Sequence, residues 1–117
     1  IKEYKNNLPS GLFNLAKVLP SYTVFIWTTT MPISKDVKGG FMIPEVESCK
    51  LRIREDILEA NFYAVKVLDQ FKLDCLDLHY YFRNQVHLRA TDGIHWSSAG
   101  KIFFGPLIIL FLILQLN

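Results

Sequence analysis

The chain has 117 residues, half of them apolar, with 13 basic against 11 acidic side chains and a net charge of +2. That bounds it at one domain with enough apolar material for a core. The mild charge is scattered and forms no basic stripe with interleaved aromatics, so no nucleic-acid partner is expected.

Two cysteines, Cys49 and Cys75, have no metal-ligand spacing and read as reduced, partly buried thiols. No H-x-x-x-H or comparable pattern joins the histidines, so neither a metal nor another cofactor is expected. The opening Ile1-Lys2-Glu3-Tyr4-Lys5 reads as the interior of a longer protein, which makes the lack of a leader uninformative. An intracellular setting is expected rather than a secreted one.

Residues 8 to 20 read as a short helix between two prolines, with Ser10 as N-cap and Leu12, Leu15, Ala16 and Leu19 near one face. Tyr22 to Thr29 is rich in β-branched and aromatic residues and reads as a buried parallel strand. Met31-Pro32 ends it. Residues 33 to 50 form a long excursion with a Gly39-Gly40 pair and no helical period.

From Leu51 to Phe71 the pattern is helical, with Ile57, Ala64, Leu68 and Phe71 in one stripe and Leu58 and Val65 beside it. Asn61 lies on that stripe. A buried amide left without partners costs about 1–3 kcal/mol, so Asn61 is expected to tie the helix to a neighbouring loop. Leu73 to His79 reads as a second strand and Tyr80 to Ala90 as a polar, aromatic connection. Ser97 or Ser98 caps a last helix from about Ala99.

Helix, strand, excursion, helix, strand, loop, helix is an alternating α/β order with parallel strands. Sites in such sheets form beyond the carboxyl ends of the strands. The loops after Trp27 and His79 open there, and Thr29, Thr30 and His79 are expected to line the site with Trp96 and Asn61. Asp92-Gly93-Ile94-His95-Trp96 lies on the same side. In a D-x-x-H turn the carboxylate can accept from Nδ1–H of the imidazole and leave Nε2 free to take a proton. On spacing alone the simpler reading is an Asp capping the turn and a His packed on Trp96.

The wider context is more specific. Val18-Leu19-Pro20, Trp27-Thr28-Thr29-Thr30-Met31-Pro32, Gly39-Gly40-Phe41, Leu58-Glu59-Ala60-Asn61-Phe62-Tyr63, Leu76-Asp77-Leu78-His79 and Asp92-Gly93-Ile94-His95-Trp96 occur in that order. Together they resemble the PC-esterase domain-containing proteins, a GDSL/SGNH-like acyl-esterase family. The resemblance implies the C-terminal part of a three-layer α/β/α fold over residues 1–101, with an ester or acylated substrate for the complete protein. It implies a serine nucleophile, a histidine base and an aspartate orienting the base.

His95 and Asp92 match the last two. The family's Gly-Asp-Ser nucleophile block has no counterpart, and Ser10, Ser21, Ser34, Ser48, Ser97 and Ser98 read as ordinary cap and loop serines. Losing one triad member costs on the order of 10⁴-fold in kcat, so the chain is expected to be silent alone. The alternatives are a non-catalytic interaction protein or pseudoenzyme, and a membrane-anchored protein.

Residues 102–117 depart from the family's amphipathic last helix. The apolar run Ile102 to Leu114 would reach about 20 Å as a helix, short of a hydrocarbon core of about 30 Å, and Pro106 interrupts it. Membrane contact through residues 102–114 is therefore disfavoured.

Overall fold

The computed structural model describes residues 1–37 and 44–116. The Gly39-Gly40-Phe41 match lies outside the described residues.

The first helix, α1, spans Lys2–Val18 and runs through Pro9. It starts well before the expected residue 8, and Ser10 is an exposed interior position, not a cap. An interior proline removes the N–H that would serve the carbonyl four residues back and costs about 3 kcal/mol. Here that carbonyl belongs to Lys5, and the Tyr63 hydroxyl donates to it at 2.8 Å. Tyr63 sits on the second helix, α2 (Ile53–Gln70), so a tertiary partner replaces the missing helical donor. Lys5 also pairs through its ammonium with Glu59 on α2.

Strand β1 is only Ile26–Thr28 and pairs in parallel with β2, Asp74–Leu76, in the register Ile26↔Asp74, Trp27↔Cys75, Thr28↔Leu76. The expected strand over Tyr22–Thr29 is too long at its start. Residues before Ile26 would face the end of α2 and the tight turn at Lys72, whose φ is +54°. Without a ladder partner Tyr22 and Val24 stay exposed. At the other end, β2 stops before His79, because Asp77 caps a short helix, α3 (Leu78–Phe82), by accepting from the Tyr80 N–H at 3.1 Å. The connection after it includes a 3₁₀ turn over Val86–Leu88, and another 3₁₀ segment covers Pro44–Cys49 in the excursion.

Alternation along these two strands separates two cores. Trp27 and Cys75 face Leu8 and Leu12 of α1 and Tyr63, Val67 and Leu68 of α2. Ile26 and Leu76 face Leu78 and Phe82 of α3, with Trp96 and the last helix. Helices therefore cover both faces of the parallel pair, an α/β arrangement. The stripe of α2 is shifted from expectation. Ala64 and Leu68 are buried with Asn61 and Val67, while Leu58 and Val65 are exposed.

Ser97 caps α4 (Ser98–Lys101) by accepting from the Gly100 N–H at 3.3 Å. Helix α5 then runs Phe104–Leu116. Pro106 does not interrupt it. It lies in the first turn, where amide hydrogens have no helical acceptor, and the Leu107 N–H opens the bonding by donating to Phe103 O at 3.4 Å. Phe104, Leu107 and Phe111 pack on the core below, with the Phe104 and Phe82 rings stacked at 4.9 Å. Ile102, Ile109, Leu110, Ile113 and Leu114 remain exposed.

Among the described residues the sheet has two strands, each with one flank open, which is marginal in water, and the outer side of α5 adds exposed apolar surface. Residues 1–117 on their own are therefore expected to bind a hydrophobic dye and to unfold without a sharp thermal transition. A steep calorimetric transition with no dye binding would contradict this.

Candidate active site

The backbone leaving β1 is held by side chains from three later elements. Thr29 is buried; its amide extends the ladder to Leu76 O at 3.2 Å, and its hydroxyl donates to Asp77 Oδ1 at 2.8 Å. The same hydroxyl oxygen accepts from the His79 N–H at 2.9 Å. Thr30 is bracketed by Asn61. The amide oxygen of Asn61 accepts from Thr30 N–H, and its NH₂ group donates to Thr30 O, both at 2.8 Å. This satisfies the buried amide on the apolar face of α2, in the tying role expected for it. His79 Nδ1 lies 3.0 Å from the same carbonyl of Thr30. A carbonyl only accepts, so that nitrogen carries the proton.

Four of the expected lining residues thus form one network: Thr29, Thr30, Asn61 and His79. The second group is Asp92 with His95. A loop closes between Arg89 and Trp96, which form an antiparallel bridge. Ala90 N–H donates to His95 O at 2.7 Å, and Gly93 N–H donates to Ala90 O at 3.0 Å. Inside the loop, Asp92 Oδ1 accepts from the N–H groups of Ile94 and His95, each at 2.9 Å. The other oxygen, Oδ2, lies 2.5 Å from His95 Nδ1.

Turn capping and imidazole orientation are therefore not alternatives. One carboxylate oxygen does each. With Nδ1–H given to Oδ2, the neutral imidazole keeps its lone pair on Nε2. The His95 side chain is 76 % exposed and that of Asp92 32 %. The expected packing of His95 on Trp96 does not form. Trp96 points the other way, buried with its ring 4.9 Å from that of Phe82, and walls nothing from water around His95.

Gly93 makes this loop feasible. Its φ is +78°, and a Cβ there would lie 2.5 Å from the carbonyl oxygen of Asp36. Ser34 N–H donates to Gly93 O at 3.0 Å. The segment after β1 thus lies directly against the D-x-x-H turn. Ser34 is the serine brought closest to the turn by these contacts, but its backbone makes the bond. Among the described residues no serine, threonine or cysteine hydrogen-bonds to His95, and no His/Cys/Asp/Glu cluster could hold a metal.

Arg89 was invisible as a site residue in the sequence. Its guanidinium lies over the Trp96 ring, 3.9 Å from the centroid, and donates to Pro32 O and Ile94 O. Burial lowers its pKa to about 10, with Asp92 acting in the opposite direction, so it stays charged at neutral pH.

The His95 hydrogen bond, then the N–H groups of Ile94 and His95, hold the Asp92 carboxyl down at about 2. A depressed carboxyl contributes stability above its unfolded pKa of about 4, and that contribution is lost as pH falls through the folded value. A carboxyl-carbon NMR titration should place the Asp92 midpoint near 2. In His95→Ala it should move up towards the usual range; a wild-type midpoint near 4 would contradict the bond. Gly93→Ala should destabilise the protein by about 1–2 kcal/mol or more in denaturant unfolding, from the left-handed backbone alone. A neutral effect would mean the turn relaxes.

Among known proteins, the chain is 35 % identical over 98 residues to PC-esterase domain-containing protein 1A of Mus musculus, covering 84 % of this chain and 22 % of that protein. The human 1A protein is 34 % identical over the same shares. The human PC-esterase domain-containing protein 1B is 32 % identical, over 83 % of this chain and 23 % of its own length. The chain thus spans less than a quarter of the curated relatives it matches. No protein-family model and no solved structure matches it.

Proposed function

We propose that this chain, a homologue of the PC-esterase domain-containing proteins 1A and 1B, carries the acid–base half of a serine-type acyl-ester hydrolase site. The observation that carries this reading is the bond of Asp92 Oδ2 to His95 Nδ1 at 2.5 Å, on a histidine whose side chain is three-quarters open. The covered two-faced parallel pair supports an incomplete three-layer α/β/α fold of the SGNH type.

In this reading a serine outside residues 1–117 gives its proton to His95 Nε2 as it attacks the acyl carbon. Asp92 keeps Nδ1 protonated and stabilises the imidazolium that forms. His95 then returns the proton to the departing alkoxide. In the second half-reaction it takes a proton from the water that attacks the acyl carbon and passes it to the serine oxygen as the acyl–serine bond breaks. The donors for the oxyanion would also come from outside these residues. Residues 1–117 alone should therefore be inactive.

In the full-length protein, His95→Ala should abolish hydrolysis of a short-chain ester, and Asp92→Asn should lower kcat by about 10⁴-fold. Activity near the wild-type level in either variant would make the turn purely structural. It would favour a non-catalytic interaction protein.

A second reading, membrane attachment through α4 and α5, has its own observation. The window Ser98–Gln115 has a mean hydropathy of 1.8 and is long and apolar enough to cross a bilayer, longer than the Ile102–Leu114 run suggests. Against it, Phe104, Leu107 and Phe111 are engaged by the core. Carbonate extraction separates the cases: retention in the membrane pellet supports attachment, and full release contradicts it.

A further inference from the structure

We propose that Arg89 is a positioning residue for the Asp92–His95 pair, its guanidinium pinning the peptide unit that precedes His95 to the backbone leaving β1. This rests on the acid–base reading given for that pair. The peptide between Ile94 and His95 is one rigid plane. Its oxygen, Ile94 O, accepts from Arg89, while its N–H, that of His95, donates to Asp92 Oδ1 at 2.9 Å. A plane held at both ends fixes where the His95 Cα–Cβ bond starts.

The second arm of the guanidinium reaches Pro32 O, two residues beyond the Thr30 that Asn61 and His79 hold. Arg89 therefore joins the two networks of the site. Trp96 supplies the floor, with the guanidinium carbon 3.9 Å from its ring centroid. Partly burying a cation against two neutral carbonyls and a ring, with no carboxylate among the described residues bonded to it, is a costly way to close a loop. The Nε–H has no hydrogen-bond partner among the described residues. What this arrangement gives in return is a planar fork with two donors at fixed separation, which lysine cannot reproduce.

The test uses the full-length protein with Arg89→Lys and Arg89→Ala. Both should lower kcat by about 10- to 100-fold with KM changed little, as expected for a misplaced base. Added guanidinium should restore part of the activity of Arg89→Ala, and lysine should not substitute. Wild-type kcat in Arg89→Lys would overturn the proposal. So would a loss in Arg89→Ala that follows a general fall in Tm and ignores guanidinium.

Amide hydrogen exchange separates this from failure of the acid–base reading. If His95→Ala keeps activity, that reading fails, yet the clamp should still show as faster exchange at Ile94 and His95 in both Arg89 variants. Unchanged exchange there, with α2 also unchanged, would overturn the clamp itself.

Discussion

The backbone leaves a three-residue strand beyond a last ladder bond, Thr29 N–H to Leu76 O, and the site follows from how the remaining polar groups of residues 29–34 are satisfied. Thr29 spends its hydroxyl on Asp77 and His79. Thr30 has both backbone groups taken by Asn61 and shares its carbonyl with His79. Pro32 O goes to Arg89, and Ser34 N–H goes to Gly93. The partners come from three later elements: Asn61 from α2, Asp77 and His79 from α3 and its cap, and Arg89 and Gly93 from the loop that carries the D-x-x-H turn. A single stretch of extended chain thereby locates α2, α3 and the D-x-x-H turn relative to one another. Buried backbone groups cannot be left unpaired, which makes this constraint stronger than the short parallel ladder it continues.

The Asp92 carboxylate is the second economy. Its two oxygens divide between the amides of the turn and the imidazole, so one carboxylate holds both in this geometry. That coupling explains the lowered pKa of Asp92, to which the His95 side chain contributes first and the two amides after it. It also means that mutating Asp92 tests two things at once. His95→Ala keeps both backbone bonds of that residue, its N–H to Asp92 Oδ1 and its O from Ala90 N–H, and removes only the imidazole, which makes it the cleaner probe.

Much of this was legible in the sequence. The helical character of α2, though not the register of its buried stripe, and the α/β order depend on local spacing, which a sequence displays. The Asp92–His95 pair stands out only through the family resemblance, spacing alone favouring a turn cap. The start of α1 was not legible, because Pro9 is tolerated only through Tyr63, more than fifty residues away. Strand β2 ends earlier than the pattern over Leu73 to His79 suggests, because the Asp77 carboxylate caps a helix. Trp96 looked like a wall of the site. Its ring is buried against Phe82 and Phe104 in the core instead. Arg89 itself carries no sequence signal, since a lone arginine with two carbonyl partners has no motif.

The central claim is that His95 acts on a serine that residues 1–117 do not contain. It is tested most directly by treating the full-length protein with a fluorophosphonate, which traps an activated serine, and mapping the modified peptide by mass spectrometry. The account predicts one labelled serine outside this stretch and loss of that label in His95→Ala. No labelling, a labelled residue within 1–117, or labelling indifferent to His95 would contradict it.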